Sequence, residues 1–254
     1  MKIGLCSVTF REKAVEEVIE LAVQAGLESI EWGGDIHVPA GDLENARKVA
    51  ELTRFHGLQV SSYGSYYKAG ESENFDEVVK TAEALGASGI RIWPGNKGSK
   101  DADKKYRELV VNDIRRISEL AKKVNISIHI EYHGGTLTDT KESARMLMND
   151  IFDDNVWLYW QPSNDVSFEE RLASIEAVQE WISNVHIFHW ESWDHRYALA
   201  DGKRYWLAYL SKIMSDGNQR HILIEFVRED SIEQFKQDAR QLREWRDYII
   251  GREL

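Results

Sequence analysis

The clearest alternation of hydrophobic and polar positions lies in the stretch ISIHIEYHGG, from Ile126 to Gly135. The isoleucines at 126, 128 and 130 alternate with Ser127, His129, Glu131 and His133. Since successive side chains of a strand point to opposite faces, this pattern predicts a strand with one apolar and one polar face. A buried carboxylate without a partner is costly. The polar face therefore indicates either a functional site or the solvated side of an edge strand.

The rest of the chain alternates between short apolar runs and amphipathic helical patterns. The predicted strands cover residues 3–7, 27–32, 58–63, 89–93, 126–135, 156–160, 185–190 and 221–226. The predicted helices cover residues 13–24, 43–55, 75–85, 103–124, 139–148, 167–181, 203–214 and 231–246.

Eight strand–helix units of about 32 residues each predict an α/β protein with a closed (β/α)8 barrel, a TIM barrel. The alternative is an open doubly wound sheet, which typically has a glycine-rich phosphate-binding turn after an early strand. The sequence has no GxGxxG after the first strand and no GxxxxGK[ST]. It also has no low-complexity linker, so we expect a single domain over residues 1–254.

Composition and charge narrow the function. The chain has 32 Lys and Arg against 43 Asp and Glu, a net charge of −11, which disfavours binding to nucleic acid. The single cysteine, Cys6, excludes an internal disulfide and fits a reducing compartment. No apolar run approaches the roughly 20 residues that a membrane span needs. We therefore expect a cytoplasmic protein with a small-molecule substrate and no membrane partner.

In a TIM barrel the active site forms at the carboxyl ends of the strands. The polar and aromatic residues at these ends are Glu31, Trp93, Glu131 with His133, Gln161, His186 with His189, and Glu225. Carboxylate, imidazole and amide groups suit Mn, Zn, Co or Mg. The alternation within strands five to eight places one set inside the barrel: Glu131, Gln161, His186 and Glu225. His189 is the alternative ligand from strand seven, because strand ends often bulge.

Five segments of the chain resemble the xylose isomerase-like TIM-barrel superfamily, the sugar phosphate isomerase/epimerase group. These are IEWGGDIHVPAGD, IEYHGGTLTDT, YWQP, VHIFHW and LIEFV, which begin at residues 30, 130, 159, 185 and 223. The resemblance implies one divalent metal ion held by Glu, Asp, His and Glu, which fall on Glu131, Gln161, His186 and Glu225. Gln161 departs from the pattern, since it replaces a carboxylate with a neutral amide. That change should weaken metal binding or favour a different metal.

The residues and the resemblance together indicate a metal-dependent isomerase or epimerase of a small sugar, a sugar phosphate or a cyclic polyol. We expect Glu131 and Glu225 to be the catalytic acid and base of a reaction that passes through an enediolate. Return of the proton to the same carbon gives epimerisation, and return to the next carbon gives isomerisation. Loss of a neighbouring hydroxyl gives dehydration. The sequence does not separate these outcomes.

Six further residues are candidates for substrate binding. His133 and His189 would orient substrate hydroxyls or hydrogen-bond the ligands, and Trp93 would stack on a sugar face or serve as packing. Glu31 and His37 resemble substrate-side residues of the family, although Glu31 has the alternative of an ion pair with Arg91. Arg196 would bind a hydroxyl or a phosphate, or remain a solvated charge.

Three other functions are alternatives to this prediction. An inosose-type dehydratase or lyase would use the same barrel and the same glutamates. A non-catalytic sugar-binding barrel would keep an aromatic mouth of Trp32, Trp93, Trp160 and Trp190, with Gln161 marking a degraded metal site. A repair endonuclease like endonuclease IV would need many more metal ligands than eight histidines supply and a basic surface. The family resemblance also makes a homo-oligomer an expectation.

Overall fold

The computed structural model describes residues 1–71, 74–192 and 194–251 and contains the predicted closed barrel. Eight parallel strands pair in the order β1-β8-β7-β6-β5-β4-β3-β2, which returns to β1. They are β1 Lys2–Cys6, β2 Ser29–Gly33, β3 Gln59–Lys68, β4 Gly89–Trp93, β5 Ser127–Glu131, β6 Val156–Trp160, β7 Ile182–Ile187 and β8 His221–Ile224.

A main helix follows each strand and packs on the outside of the barrel. These helices are α1 Val15–Gln24, α2 Leu43–Phe55, α3 Phe75–Leu85, α4 Lys104–Lys122, α5 Lys141–Ile151, α6 Phe168–Val178, α7 Lys203–Ile213 and α8 Ile232–Gly251. Side chains cap the start of α2 and of α6: Asp42 accepts a hydrogen bond from the Asn45 N–H, and Ser167 accepts one from the Glu170 N–H. Each satisfies a backbone donor that has no partner within its helix.

The elements differ from the sequence prediction mainly at β3, β5, β7 and α8. β5 ends at Glu131, four residues before its predicted end, and α8 continues to Gly251, five residues beyond its predicted end. β3 continues to Lys68 because its register with β4 shifts between Gly64 and Lys68, and the extra length lets Lys68 pair with Trp93. β7 starts at Ile182, three residues before its predicted start. In the loop after β7, a short antiparallel hairpin pairs Trp190–Ser192 with His195–Arg196.

The apolar core lies between the strands and the helices, while the barrel interior is markedly polar. Ile128 and Ile130 face the helices and are fully buried there. Inside the barrel, Asn184 donates to the Tyr159 hydroxyl (2.6 Å), which donates to Ser62 Oγ (2.7 Å), which donates to Glu31 Oε2 (2.7 Å). We call these four residues the interior column. The column satisfies buried polar groups that would otherwise destabilise the fold.

Two of the four tryptophans expected at the mouth lie in the outer core instead. Trp32 is fully buried and donates to Thr53 on α2, and Trp160 is fully buried and donates to Ser174 on α6. Each follows an inward residue of its strand, so strand alternation turns it toward the helices. No helix in the described part of the chain combines the length and the apolarity required to cross a bilayer.

Candidate active site at the barrel mouth

A cavity of about 590 Å³ opens at the carboxyl ends of the strands. Glu131 and Glu225 line this cavity together with aromatic side chains from several loops. The other lining residues that bear on the chemistry are Arg11, Tyr66, Arg91, Trp93, His133, Gln161, Asn164, Phe188, Trp190 and Phe226. A cavity of this size fits a small sugar or cyclic polyol.

The four predicted metal ligands converge on one nitrogen atom. Nδ1 of the fully buried His186 lies 3.2 Å from Gln161 Oε1, 3.4 Å from Glu225 Oε2 and 3.8 Å from Glu131 Oε1. These atoms come from β5, the end of β6, β7 and the end of β8. The strand alternation that placed the four residues inside the barrel therefore also brings their side chains together.

The donor set fits a divalent cation. With metal–ligand bonds of about 2.1 Å, neighbouring ligand atoms around one ion lie about 3.0–3.5 Å apart, close to the separations around His186 Nδ1. The charges around the site also favour a cation. Three buried carboxylates, those of Glu31, Glu131 and Glu225, surround one guanidinium, that of Arg91. Burial lowers the pKa of His186, but the carboxylates of Glu225 and Glu31 outweigh burial and raise that pKa, so the site attracts positive charge.

The second ring nitrogen of His186 faces Glu31. Nε2 lies 3.4 Å from Glu31 Oε1, and no hydrogen bond of good geometry satisfies this nitrogen within the described residues. Histidines that bind metals commonly direct their other nitrogen at a carboxylate, which places the proton there. The arrangement favours a proton on Nε2 and leaves the lone pair of Nδ1 for an ion.

Arg91 joins two of the buried glutamates. Its Nε donates to Glu31 Oε1 (2.8 Å), and its Nη1 donates to Glu131 Oε2. The second contact is shared with Trp93, whose Nε1 lies 2.5 Å from the same oxygen. The ion pair with Arg91, which the sequence analysis gave as the alternative role of Glu31, is thus present. Glu31 is fully buried and is not among the residues that line the cavity.

The environments of the three glutamates shift their pKa values in different directions. Burial by itself would raise each pKa. For Glu31 and Glu131, the charges of Arg91 and His186 outweigh burial and hold the pKa below the usual value. For Glu225, burial dominates and the nearby carboxylate of Glu131 adds to it, so its pKa is raised despite His186.

Of the two other histidines predicted to bind substrate before β6, one lines the cavity and one does not. His133 lines the cavity and stacks on Trp93, with ring centroids 4.9 Å apart. His37 lies away from the cavity lining, where its ring nitrogens contact Ser7 Oγ and the Lys13 carbonyl.

The two candidates after β7 lie around the hairpin. His189 is half-buried and packs beside Tyr197 and Tyr205 rather than in the cavity lining. Arg196 pairs with Asp230 and lies over the ring of Phe226, at the rim of the cavity.

Comparison with known proteins identifies the family. The family model of the xylose isomerase-like TIM barrel matches residues 19–245. The chain belongs to this family. Among its relatives, a 3-dehydroshikimate dehydratase of Bacillus anthracis is 26% identical over 212 residues, which cover 77% of this chain and 74% of the relative.

Two solved structures have the same xylose isomerase-like fold at low sequence identity. A D-tagatose 3-epimerase-like protein superposes with a TM-score of 0.79 at 16% identity, over 100% of both chains. A xylose isomerase-like barrel from Mycobacterium smegmatis, solved in complex with magnesium, superposes with a TM-score of 0.72 at 15% identity, over 94% of this chain and 91% of that one.

Sequence reasoning missed part of the wall of this xylose isomerase-like barrel. Tyr66 and Phe226 line the cavity, and both have a left-handed backbone, with φ of 59° and 51°. Residues other than glycine rarely adopt this conformation. Tyr66 lies beyond the predicted end of its strand, so no signal marked it. Phe226 directly follows Glu225, and its position beside a predicted catalytic residue was the signal available.

Proposed function

We propose that this protein is a metal-dependent isomerase or epimerase of a small polyhydroxylated carbonyl compound. The observation that carries the proposal is the convergence of Gln161 Oε1, Glu131 Oε1 and Glu225 Oε2 within 3.8 Å of His186 Nδ1, in the wall of a cavity of sugar size. Two carboxylates around one cation site suit proton removal next to a carbonyl, because a proton acceptor and positive charge are both at hand.

In this proposal, Glu131, Gln161, His186 and Glu225 hold the ion. When bound, a divalent ion stabilises negative charge that develops on the substrate oxygens as the proton leaves. The side chains of the protein bind the substrate and transfer the proton. Trp93 and His133, stacked on each other in the cavity wall, offer aromatic surface to the apolar face of a sugar ring, and Glu131 and Glu225 are the candidates to accept and return the proton.

Dehydration is the second candidate, and a specific observation favours it. The Bacillus anthracis relative, which matches over most of its length, is a 3-dehydroshikimate dehydratase. Elimination starts with the same proton removal and ends with the loss of a neighbouring hydroxyl as water. The same ligands and the same glutamates would serve it.

The first experiment measures proton exchange. The purified chain, loaded with Mn²⁺, is incubated in deuterated water with D-fructose, D-fructose 6-phosphate, scyllo-inosose and 3-dehydroshikimate, and NMR follows the loss of carbon-bound hydrogen. We expect exchange in at least one compound with wild type and none with Glu225→Gln. New sugars would identify isomerisation or epimerisation, and a conjugated carbonyl product would identify dehydration. No exchange in any compound, despite bound Mn²⁺, would argue for a sugar-binding barrel.

A further inference from the structure

Glu131 and Glu225 differ in what their carboxylate oxygens contact. Glu131 Oε2 accepts hydrogen bonds from Arg91 Nη1 and Trp93 Nε1, while Glu131 Oε1 lies 3.3 Å from Gln161 Nε2. Within the described ranges, no N–H or O–H group of the chain hydrogen-bonds the Glu225 carboxylate. Its charged contact is with His186, 3.4 Å away. We call Arg91 and Trp93, with their shared acceptor, the Glu131 clamp.

Arg91, the charged residue of the Glu131 clamp, is itself fixed by burial and by hydrogen bonds. The side chain of Arg91 is 2% exposed, and its Nε is bound to Glu31, whose other oxygen accepts from Ser62. Moving Arg91 would break these buried, charge-assisted hydrogen bonds. Glu131 Oε2 therefore remains occupied, and Oε1 is the oxygen that faces the other ligands.

A carboxylate in this state is a poor proton acceptor. Two donors, one of them charged, stabilise the anion and use the lone pairs of Oε2. An ion at the site would use Oε1. Glu225 has no comparable donors and lies in the cavity wall, so its carboxylate keeps an acceptor position for a substrate proton.

We propose that Glu225 alone transfers the proton, and that Arg91 and Trp93 are positioning residues that fix Glu131 as a ligand through one oxygen. This inference rests on the proposed function. The C–H bond next to the carbonyl breaks and its proton goes to Glu225. The electron pair of that bond forms the carbon–carbon double bond of the enediolate, and the π pair of the carbonyl moves onto the carbonyl oxygen.

Glu225 then returns the proton on the side of the substrate from which it came. Delivery to the neighbouring carbon, with the hydroxyl proton passing from the oxygen that becomes the new carbonyl to the oxygen of the former one, completes isomerisation. Delivery to a neighbouring hydroxyl releases that group as water. Epimerisation requires a donor on the opposite side, which the clamped Glu131 does not provide. The inference therefore selects isomerisation or elimination among the reactions that the site permits.

The clamp is tested first, without a substrate. Trp93→Phe removes one N–H and keeps an aromatic ring beside His133. We expect Mn²⁺ to bind about three- to tenfold more tightly to this variant, because Glu131 loses a donor that competes for its charge. Trp157→Phe, at the opposite end of the barrel, is the matched control and should leave the affinity unchanged. Unchanged or weaker binding by Trp93→Phe would overturn the clamp.

The single-base step is tested with whichever compound exchanges hydrogen with wild type. At saturating Mn²⁺, Glu225→Gln should reduce exchange about a thousandfold, and Glu131→Gln no more than about tenfold, because only the first removes the proton acceptor. Equal losses in both variants would overturn the assignment. If wild type exchanges no compound, the proposed function fails, and the Mn²⁺ titration still decides whether the clamp exists.

Discussion

At the scale of single residues, Gln161 determines the charge of the predicted metal site. Its amide bridges two other predicted ligands: Nε2 donates to Glu131 Oε1 (3.3 Å), and Oε1 lies 3.2 Å from His186 Nδ1. The amide thus lies in the predicted ligand position while adding no charge. The sequence located this residue through strand alternation, and only the departure from the family pattern raised the question of its role.

We predict that Gln161→Asp strengthens binding of Mn²⁺ or Mg²⁺ by about tenfold or more, since affinity for hard cations rises with the number of charged ligands. Asn164→Asp is the matched control, because it adds the same charge to the cavity wall without adding it to the ligand group. Calorimetric titration of wild type and both variants measures the effect. An equal gain in the two variants would indicate a general effect of charge rather than a ligand at position 161.

A second prediction concerns Glu31, which is fully buried and contacts Arg91, His186 and Ser62. Glu31→Gln removes the charge that pairs with Arg91 Nε and turns one acceptor oxygen into an N–H2 donor that faces another buried donor, so we expect the free energy of unfolding to fall by about 3 kcal/mol. Urea unfolding measures this loss. The control is Glu28→Gln, which breaks a partly exposed pair with Arg246 and should cost less than about 1 kcal/mol.

At the scale of elements, strand alternation explains what could be predicted. The period of two in β5 determines which side chains enter the barrel, and the same rule holds for β6, β7 and β8. Strand ends could not be predicted equally well. The extension of β3 depends on a register shift against β4, and the hairpin after β7 depends on pairing within a loop. Neither leaves a local pattern in the sequence. The Trp93–Glu131 hydrogen bond likewise depends on the pairing of β4 with β5, which brings two residues 38 positions apart into contact.

The end of α5 supports an element-scale prediction. Phe152 ends this helix with a left-handed backbone, φ 44°, while its side chain is 90% exposed. Phe152→Gly should raise the free energy of unfolding by about 1 kcal/mol relative to Phe152→Ala, because only glycine adopts this conformation without strain. The alanine variant removes the same exposed ring and keeps the strain. Equal thermal midpoints for the two variants would contradict the prediction.

At the scale of the whole molecule, acid should unfold the barrel through its buried histidines. Burial lowers the pKa of both His129 and His221 to about 4. In the unfolded chain each would take up a proton near its ordinary pKa of about 6.5. Between these values the unfolded state holds more protons, so stability rises with pH and is lost as the pH falls from about 6.5 to about 4.

This pH dependence is measured as the urea midpoint at pH 7 and at pH 5. His129→Gln should reduce the difference between the two midpoints, because one buried histidine no longer has to remain neutral. His56→Gln, at an exposed position, should leave the difference as it is in wild type. A difference that His129→Gln does not change would show that other groups control acid unfolding.

The interior column has a consequence for how this protein can evolve. Asn184, Tyr159 and Ser62 lie below the cavity, yet they lead by hydrogen bonds to Glu31, and Glu31 holds both Arg91 and His186. Apolar exchanges of similar volume in the outer core would leave these hydrogen bonds unchanged. A similar exchange inside the barrel would shift Arg91, His186 and the predicted ligands around them. Sequence drift should therefore be tolerated outside the strands and resisted along the axis.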